Sequence, residues 1–318
     1  MTGIIEQLNW EWKLRRHARI ARGVLATPPL RPADDGVILF SMIGTRVLLP
    51  YLVAAKSLRK WLGRGRFVVM DDGTLTADDR AVLARQLGDP RVIPIGEVDT
   101  GPCPTGGTWE RLLTILDLRG GDYVIQLDSD TVTLGPVPEV QAAIDAARGF
   151  TLLGDERAAA IGIVPAEKFV ARHAPDLSAR AASAHVQTQI EARMAEVAIP
   201  GFNYVRGCSG FAGFAPRAGG RALAEAFSRE ADRLLGRPKW SEWGSEQVTS
   251  SAVIANDPGA VPLPYDRYTN FWNRPLGREV AFAHFIGTYR YHGSAYLDAT
   301  RAAIAALHST DELTITAA

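Results

Sequence analysis

The most constraining stretch of the chain is Tyr123-Val124-Ile125-Gln126-Leu127, an apolar run that stops abruptly at Asp128-Ser129-Asp130. A short run apolar on both faces fits a strand in a sheet that helices cover on either side. Asp128 and Asp130 then fall at the strand's carboxyl end, the edge at which open α/β sheets bind ligands. Two carboxylates one residue apart offer hard oxygen ligands to Mg2+ or Mn2+, and phosphate oxygens can fill the remaining positions. The same residues also suit an Asx-turn that closes a strand. Alone, the motif leaves both readings open.

The surrounding sequence repeats the strand-helix alternation that such a sheet requires. Residues 37–40 and 67–70 read as buried strands, with a helix over 45–62 between them. Thr76 with Asp79 three residues on caps a further helix, which Gly88 and Pro90 end; 92–95 is a third strand, and Thr108 opens a helix through 118. This predicts an α/β fold with a mostly parallel, doubly wound sheet flanked by helices. The second half is less regular. Strands are expected at 150–153, 204–216, 261–263 (an edge) and 280–286, and helices in pieces over 158–198 and at 217–235, 244–255 and 296–307. A Pro-rich linker at 27–32 sets off an N-terminal arm, residues 1–35, from one domain over 36–318. Within it, 36–145 is the expected nucleotide-binding half, 146–295 the sugar and acceptor half, and 296–318 a C-terminal helix and tail.

Charge narrows the partners. Lys and Arg number 35 and Asp and Glu 35 among 318 residues, so no global field steers the protein toward nucleic acid or an anionic membrane. No apolar run nears the roughly 20 residues needed to span a bilayer, and the N-terminus lacks a signal peptide's apolar centre, so a cytoplasmic location is expected. Trp10, Trp12 and the bases Lys13 to Arg19 could touch a membrane surface, although a helix packed on the domain suits them better. Cys103 and Cys208 lack both disulfide and metal-site spacing.

Three further residues suit the Asp-x-Asp edge. Arg111 precedes Asp128 by seventeen residues, and Ala283-His284-Phe285-Ile286-Gly287-Thr288-Tyr289-Arg290 sets a His in an apolar strand with an Arg six residues later. An imidazole is a sensible third ligand for Mn2+ beside two carboxylates. This combination resembles the GT-A nucleotide-sugar glycosyltransferases, most closely the retaining family-eight group of glycogenin and bacterial galactosyltransferases, over roughly residues 36–292. The resemblance implies a GT-A domain in which Asp128, Asp130 and His284 hold Mn2+ or Mg2+, while Arg111, Ser129 and Arg290 contact the donor. It also matches Cys208-Ser209-Gly210 to an Asn-x-Gly strand facing the sugar, and Glu246-Gln247 to an Asp-Gln pair at the reacting centre. Cys208 departs from the usual amide, and Glu246 is one methylene longer than the usual Asp.

Asp71-Asp72-Gly73 resembles instead the acidic uracil-side motif of inverting GT-A enzymes, and it is also good turn chemistry. Ser41 to Gly44 is expected to line the same nucleotide cleft. The implied function is transfer of a sugar from a nucleoside diphosphate sugar, UDP-linked by preference, to a glycan, lipid or small-molecule acceptor, with retention. Were it to invert, Glu246, Glu242 or Asp155 would serve as general base. Trp240, Trp243, Tyr268, Phe271 and Trp272 could stack on an acceptor. Two alternatives stand beside this. Gly44-Thr45-Arg46 with Pro50 and Lys56 faintly echoes sugar-1-phosphate nucleotidyltransferases (pyrophosphorylases), and a non-catalytic nucleotide-sugar-binding module would also fit.

Overall fold

The structure is a computed structural model that describes residues 2–173 and 184–309, the side chains of residues 2–9 excepted. The chain opens with α1 (Thr2–Ala21) and β1 (Val37–Ile43), followed by α2 (Leu48–Leu62), which Gly63 ends at a left-handed φ of 72°. β2 (Arg66–Asp71) leads to α3 (Ala77–Leu87), whose start carries the expected capping box between Thr76 and Asp79. β3 (Arg91–Pro94), α4 (Trp109–Leu118) and β4 (Tyr123–Leu127) complete the regular half. Then come β5 (Thr131–Thr133), α5 (Pro138–Asp145), β6 (Phe150–Leu153), α6 (Glu156–Ile161), β7 (Val164–Pro165) and α7 (Ala166–His173). α8 (Val186–Glu191), β8 (Asn203–Tyr204), β9 (Gly207–Phe214), α9 (Ala222–Leu235), α10 (Arg237–Trp240) and α11 (Ser245–Ala255) follow. β10 (Val261–Pro262), β11 (Tyr268–Asn270), β12 (Phe282–His284) and α12 (Ala295–His308) close the described chain.

The central sheet has the order β10-β6-β9-β4-β1-β2-β3. Only β9 runs against its neighbours β4 and β6; every other pair is parallel. Both faces are apolar, as the Val-Ile-rich strands require. Val37, Leu39, Ile125 and Leu127 join one core with α2 and α12, while Ile38, Phe40 and Val124 join another with α4, α9 and α11. The protein is therefore α/β, with a mostly parallel sheet between helical layers. α1 lies on the first of these layers, where Trp10 meets Tyr291 edge-on at 4.9 Å and the His17 ring stacks on Tyr296 at 3.9 Å. No helix among the described residues is long and apolar enough to cross a membrane.

A second, three-stranded sheet, β11-β12-β5, departs from the sequence reading. The strand expected at 280–286 shrinks to Phe282–His284 and lies in this sheet rather than the central one, and β5, β11 and α5 were not expected. Three-residue strands carry too few side chains to display a period, so only their pairing reveals them. The helix expected from 217 begins at Ala222. Of the helical pieces expected over 158–198, the part at 174–183 lies outside the described residues, as does the tail beyond 309.

Candidate active site and metal centre

Three elements converge where β4 ends. Asp128 follows the last residue of β4, and its backbone N–H donates to the Gly210 carbonyl of β9 at 2.9 Å. Asp130 lies just before β5, and its carbonyl accepts from the Phe285 N–H at 2.8 Å, which fixes it beside β12. His284 ends β12, paired across the sheet with Asn270 on one side and Thr131 on the other. Its ring lies against β9 at Gly210, where a Cβ would stand 2.5 Å from the imidazole. The ring's Nε2 is 3.3 Å from Asp130 Oδ1. One ligand atom each from Asp128, Asp130 and His284 all lie within 4.8 Å of one another. Ligands around a shared ion with bonds near 2.1 Å sit about 3 to 4.5 Å apart, so the spacing suits a divalent cation. Two carboxylates with one imidazole suit Mn2+ better than Mg2+, which favours an all-oxygen shell.

Two arginines flank this cluster. Arg111, in the first turn of α4 and buried, pairs with Asp128 at 2.5 Å and with Glu246 at 3.1 Å, and reaches the Ser209 hydroxyl at 3.2 Å. Burial opposes its charge, but Glu246 and Asp128 more than offset this and raise its pKa. Arg290 pairs closely with Asp130 and donates to the Phe285 carbonyl. Burial alone would raise the Asp130 carboxyl, yet His284 and Arg290 hold it well below the usual range. Asp128 moves the other way: burial raises it against the pull of Arg111. For His284, burial opposes the imidazolium, and Cys208 with Asp130 outweigh it, so the ring is held well above its ordinary value.

Glu246 and Gln247 sit in the first turn of α11, facing the start of β9. The Thr108 hydroxyl, at the head of α4 in a left-handed backbone with φ of 75°, donates to Glu246 Oε2 at 2.9 Å, the oxygen that also meets Arg111. Glu246 Oε1 is buried without a partner among the described residues, and burial pushes the carboxyl up despite Arg111. Gln247 accepts from the Ser209 N–H and donates to Gln187. The first turns of α4 and α11 thus both open toward one space, and helix starts favour anions there.

That space is a cavity of about 450 Å3, lined by Arg111, Asp128, Asp130, Cys208, Ser209, Glu246, Gln247, His284 and Arg290 from the sequence reading. Thr108, Gln187, Arg206 and Asn270 line it too, none of them expected as a site residue, Thr108 having been read as a helix start. Single polar residues on apolar strands and helix starts gave no motif to find them by. Ser129 does not line it, nor do Ser41, Asp71 and Asp72. Ser41 instead donates to the Leu127 carbonyl at 2.6 Å and ties β1 to β4. Asp71 pairs with Arg80 at 2.5 Å and accepts from the Gly73 and Leu75 N–H groups, while Asp72 accepts from Thr74. Turn closure therefore engages both carboxylates, a use compatible with the donor contact expected of them.

Of the expected acceptor aromatics, Trp240, Tyr268 and Phe271 are core residues, and only Trp243 and Trp272 are exposed. Both line the cavity, and so does Asp155, which also caps α6 through the Ala158 N–H. Glu242 lies outside it and pairs with Lys239. Lys56 is fully buried, its ammonium donating to the Pro28 carbonyl at 2.8 Å and to Gln86 at 2.6 Å, which anchors the linker and leaves it no reach to a phosphate. The pyrophosphorylase echo loses its lysine there.

No family model and no curated relative matches the chain. Among solved structures it is similar to the galactosyltransferase LgtC in complex with donor and acceptor sugar analogues, at 15% identity over 87% of this chain and 98% of that one, with a TM-score of 0.49. It is also similar to core-mannan synthase A from Aspergillus fumigatus in a Mn/GDP form, at 11% identity over 88% and 87% of the two chains and a TM-score of 0.44. Mouse xyloside xylosyltransferase 1 matches at 13% identity over 81% of this chain and 99% of its own, with a TM-score of 0.43. Similarities at this level leave the geometry of the site itself to carry the chemistry.

Proposed function

We propose that the protein is a metal-dependent glycosyltransferase that takes a sugar from a nucleoside diphosphate sugar, with UDP as the first nucleotide to test, and passes it on with retention. The observation that carries this is the joining of Asp128, Asp130 and His284 within 4.8 Å, between two arginines, in a cavity at the carboxyl edge of the sheet. A Mn2+ ion held by those three side chains would neutralise the diphosphate and the charge that grows on it as the sugar departs. Arg111 and Arg290 add positive charge on either side of the same position. Both are anchored by carboxylates, so they need little reorganisation as charge develops.

The sugar would lie against Glu246 and Gln247. Glu246 Oε1 is without a partner among the described residues and is the natural acceptor for a sugar hydroxyl, while Gln247 is oriented by Ser209 and Gln187. Retention is supported by the state of the carboxylates. Inversion needs a carboxylate placed to take the acceptor's proton; Glu242 lies outside the cavity, Asp155 caps α6 through one oxygen, and the free oxygen of Glu246 is assigned to a sugar hydroxyl of the donor.

Calorimetric titration of UDP, GDP and UDP-sugars, with and without Mn2+, tests the reading. Binding of at least one nucleotide is expected to need the ion, and Asp130→Asn is expected to weaken the metal-dependent part about 100-fold or more with the fold intact by circular dichroism. Nucleotide affinity indifferent to Mn2+ in the wild type would sink the assignment. NMR of the product anomer separates retention from inversion.

A further inference from the structure

We infer that Asn270 is a positioning residue that holds the proton of His284 on Nδ1 and so presents Nε2 to the metal; the inference rests on the metal site proposed above. Asn270 is buried, and its side chain makes three contacts. Its Nδ2 donates to the Leu153 carbonyl at 2.8 Å and to the Gly154 carbonyl at 2.9 Å, and its Oδ1 lies 2.9 Å from His284 Nδ1.

The orientation of this amide follows from chemistry. Backbone carbonyls only accept, so the end of the amide that faces two of them must be the NH2. Turned over, Oδ1 would press its lone pairs against both carbonyls. Oδ1 therefore faces the imidazole, and an oxygen that only accepts needs a proton on the nitrogen opposite. Nδ1 carries that proton, and the ring's other nitrogen, 3.3 Å from Asp130, is the one left for coordination. Cys208 Sγ lies 3.3 Å from the same Nδ1 and can share this proton as a weaker acceptor.

The arrangement is built into the backbone. Asn270 and His284 are direct partners across β11 and β12, so both side chains rise from one register position of the small sheet. The carbonyls that orient the amide belong to the end of β6 in the central sheet. The ring's angle is thus set by a relay running from one sheet to the other. A ligating histidine whose second nitrogen is fixed in this way has its direction, and the nitrogen that keeps its proton, chosen before the ion arrives.

Two variants separate this role from mere packing. Asn270→Ala removes the acceptor for Nδ1–H; Asn270→Asp keeps an acceptor but loses both donors to the Leu153 and Gly154 carbonyls. If Asn270 served only to satisfy those carbonyls, Asp would be the more damaging change in every assay. The relay predicts a different order: Asn270→Ala weakens Mn2+ binding, read from the EPR signal of free Mn2+, by about 10- to 100-fold, whereas Asn270→Asp stays within about threefold of wild type even where its unfolding temperature falls. In 15N spectra of the wild type loaded with Mg2+, the His284 proton is expected on Nδ1. A bare Nδ1, an Ala variant that binds Mn2+ as the wild type does, or an Asp variant as weak as Ala would overturn the inference. A wild type that binds no Mn2+ would instead overturn the functional reading.

Discussion

Arg111 is the residue on which most of the site's charge depends. It bridges Glu246, which is nearly inaccessible, and Asp128, which is partly exposed. Removing one member of a buried ion pair leaves the other charge uncompensated, at a cost of about 3–5 kcal/mol. Arg111→Met is therefore expected to lose about that much stability in a urea titration, and adding Glu246→Gln to recover a good part of it. If the double variant is as unstable as the single one, Glu246 does not depend on Arg111 for its charge. Arg111 was legible in the sequence because its spacing to the Asp-x-Asp matched a known pattern. Asn270 was not: an Asn between Tyr268-Thr269 and Phe271-Trp272 carries no motif, and its use depends on where β6 ends. Asp71-Asp72-Gly73 is ambiguous in the opposite sense: its carboxylates read both as ligands and as a turn, two compatible uses, and the structure displays the turn.

At the scale of elements, β9 is a floor on which other parts of the site rest. Its glycines leave room for side chains from neighbouring strands, and at Gly210 that guest is the His284 ring. A methyl group there would stand 2.5 Å from the ring, closer than van der Waals contact permits, and a shift of the ring would stretch its hydrogen bond to Asn270. Gly210→Ala is expected to weaken Mn2+ binding tenfold or more while far-ultraviolet circular dichroism stays unchanged, since the strand itself tolerates alanine. Unaltered Mn2+ affinity would mean the ring is free to shift. The strand-helix alternation of the first half was readable because each element is long enough to display its period and its caps. The small sheet was not, because its strands are three residues each and are held by pairing between distant segments.

At the scale of the whole molecule, α1 couples the N-terminus to the body of the fold. His17 is buried in that contact, stacked on Tyr296 and hydrogen-bonded to Thr300 at 3.0 Å, and burial, with Arg290 nearby, lowers its pKa to about 4. The folded state therefore favours the neutral ring, while the unfolded chain takes a proton near pH 6.5. Stability from this source is complete above pH 6.5 and is lost as the pH falls toward 4, amounting to about 2–3 kcal/mol by pH 4.5. His17→Gln is expected to remove that part of the acid sensitivity, so that wild type and variant diverge when unfolding free energies at pH 7 and pH 4.5 are compared. Parallel pH profiles would place His17 in a wetter contact than the one described.

The division of the site between two sheets also orders events in time. Asp130 and its partner Arg290 are separated by 160 positions, and His284 comes nearly as late. Strands β1 to β4 can associate as soon as they leave the ribosome, yet a chain that has not been synthesised through residue 284 holds Arg111, Asp128 and Asp130 without His284 or Arg290. A divalent ion at the proposed site would then not act as a template for folding in the manner of a small zinc module, because the three side chains meet only after the last strand has paired. At the proposed site ion binding would mark completion of the sheets: a chain synthesised and paired through β12 could acquire the ion, and copies truncated or misregistered before it would stay without it.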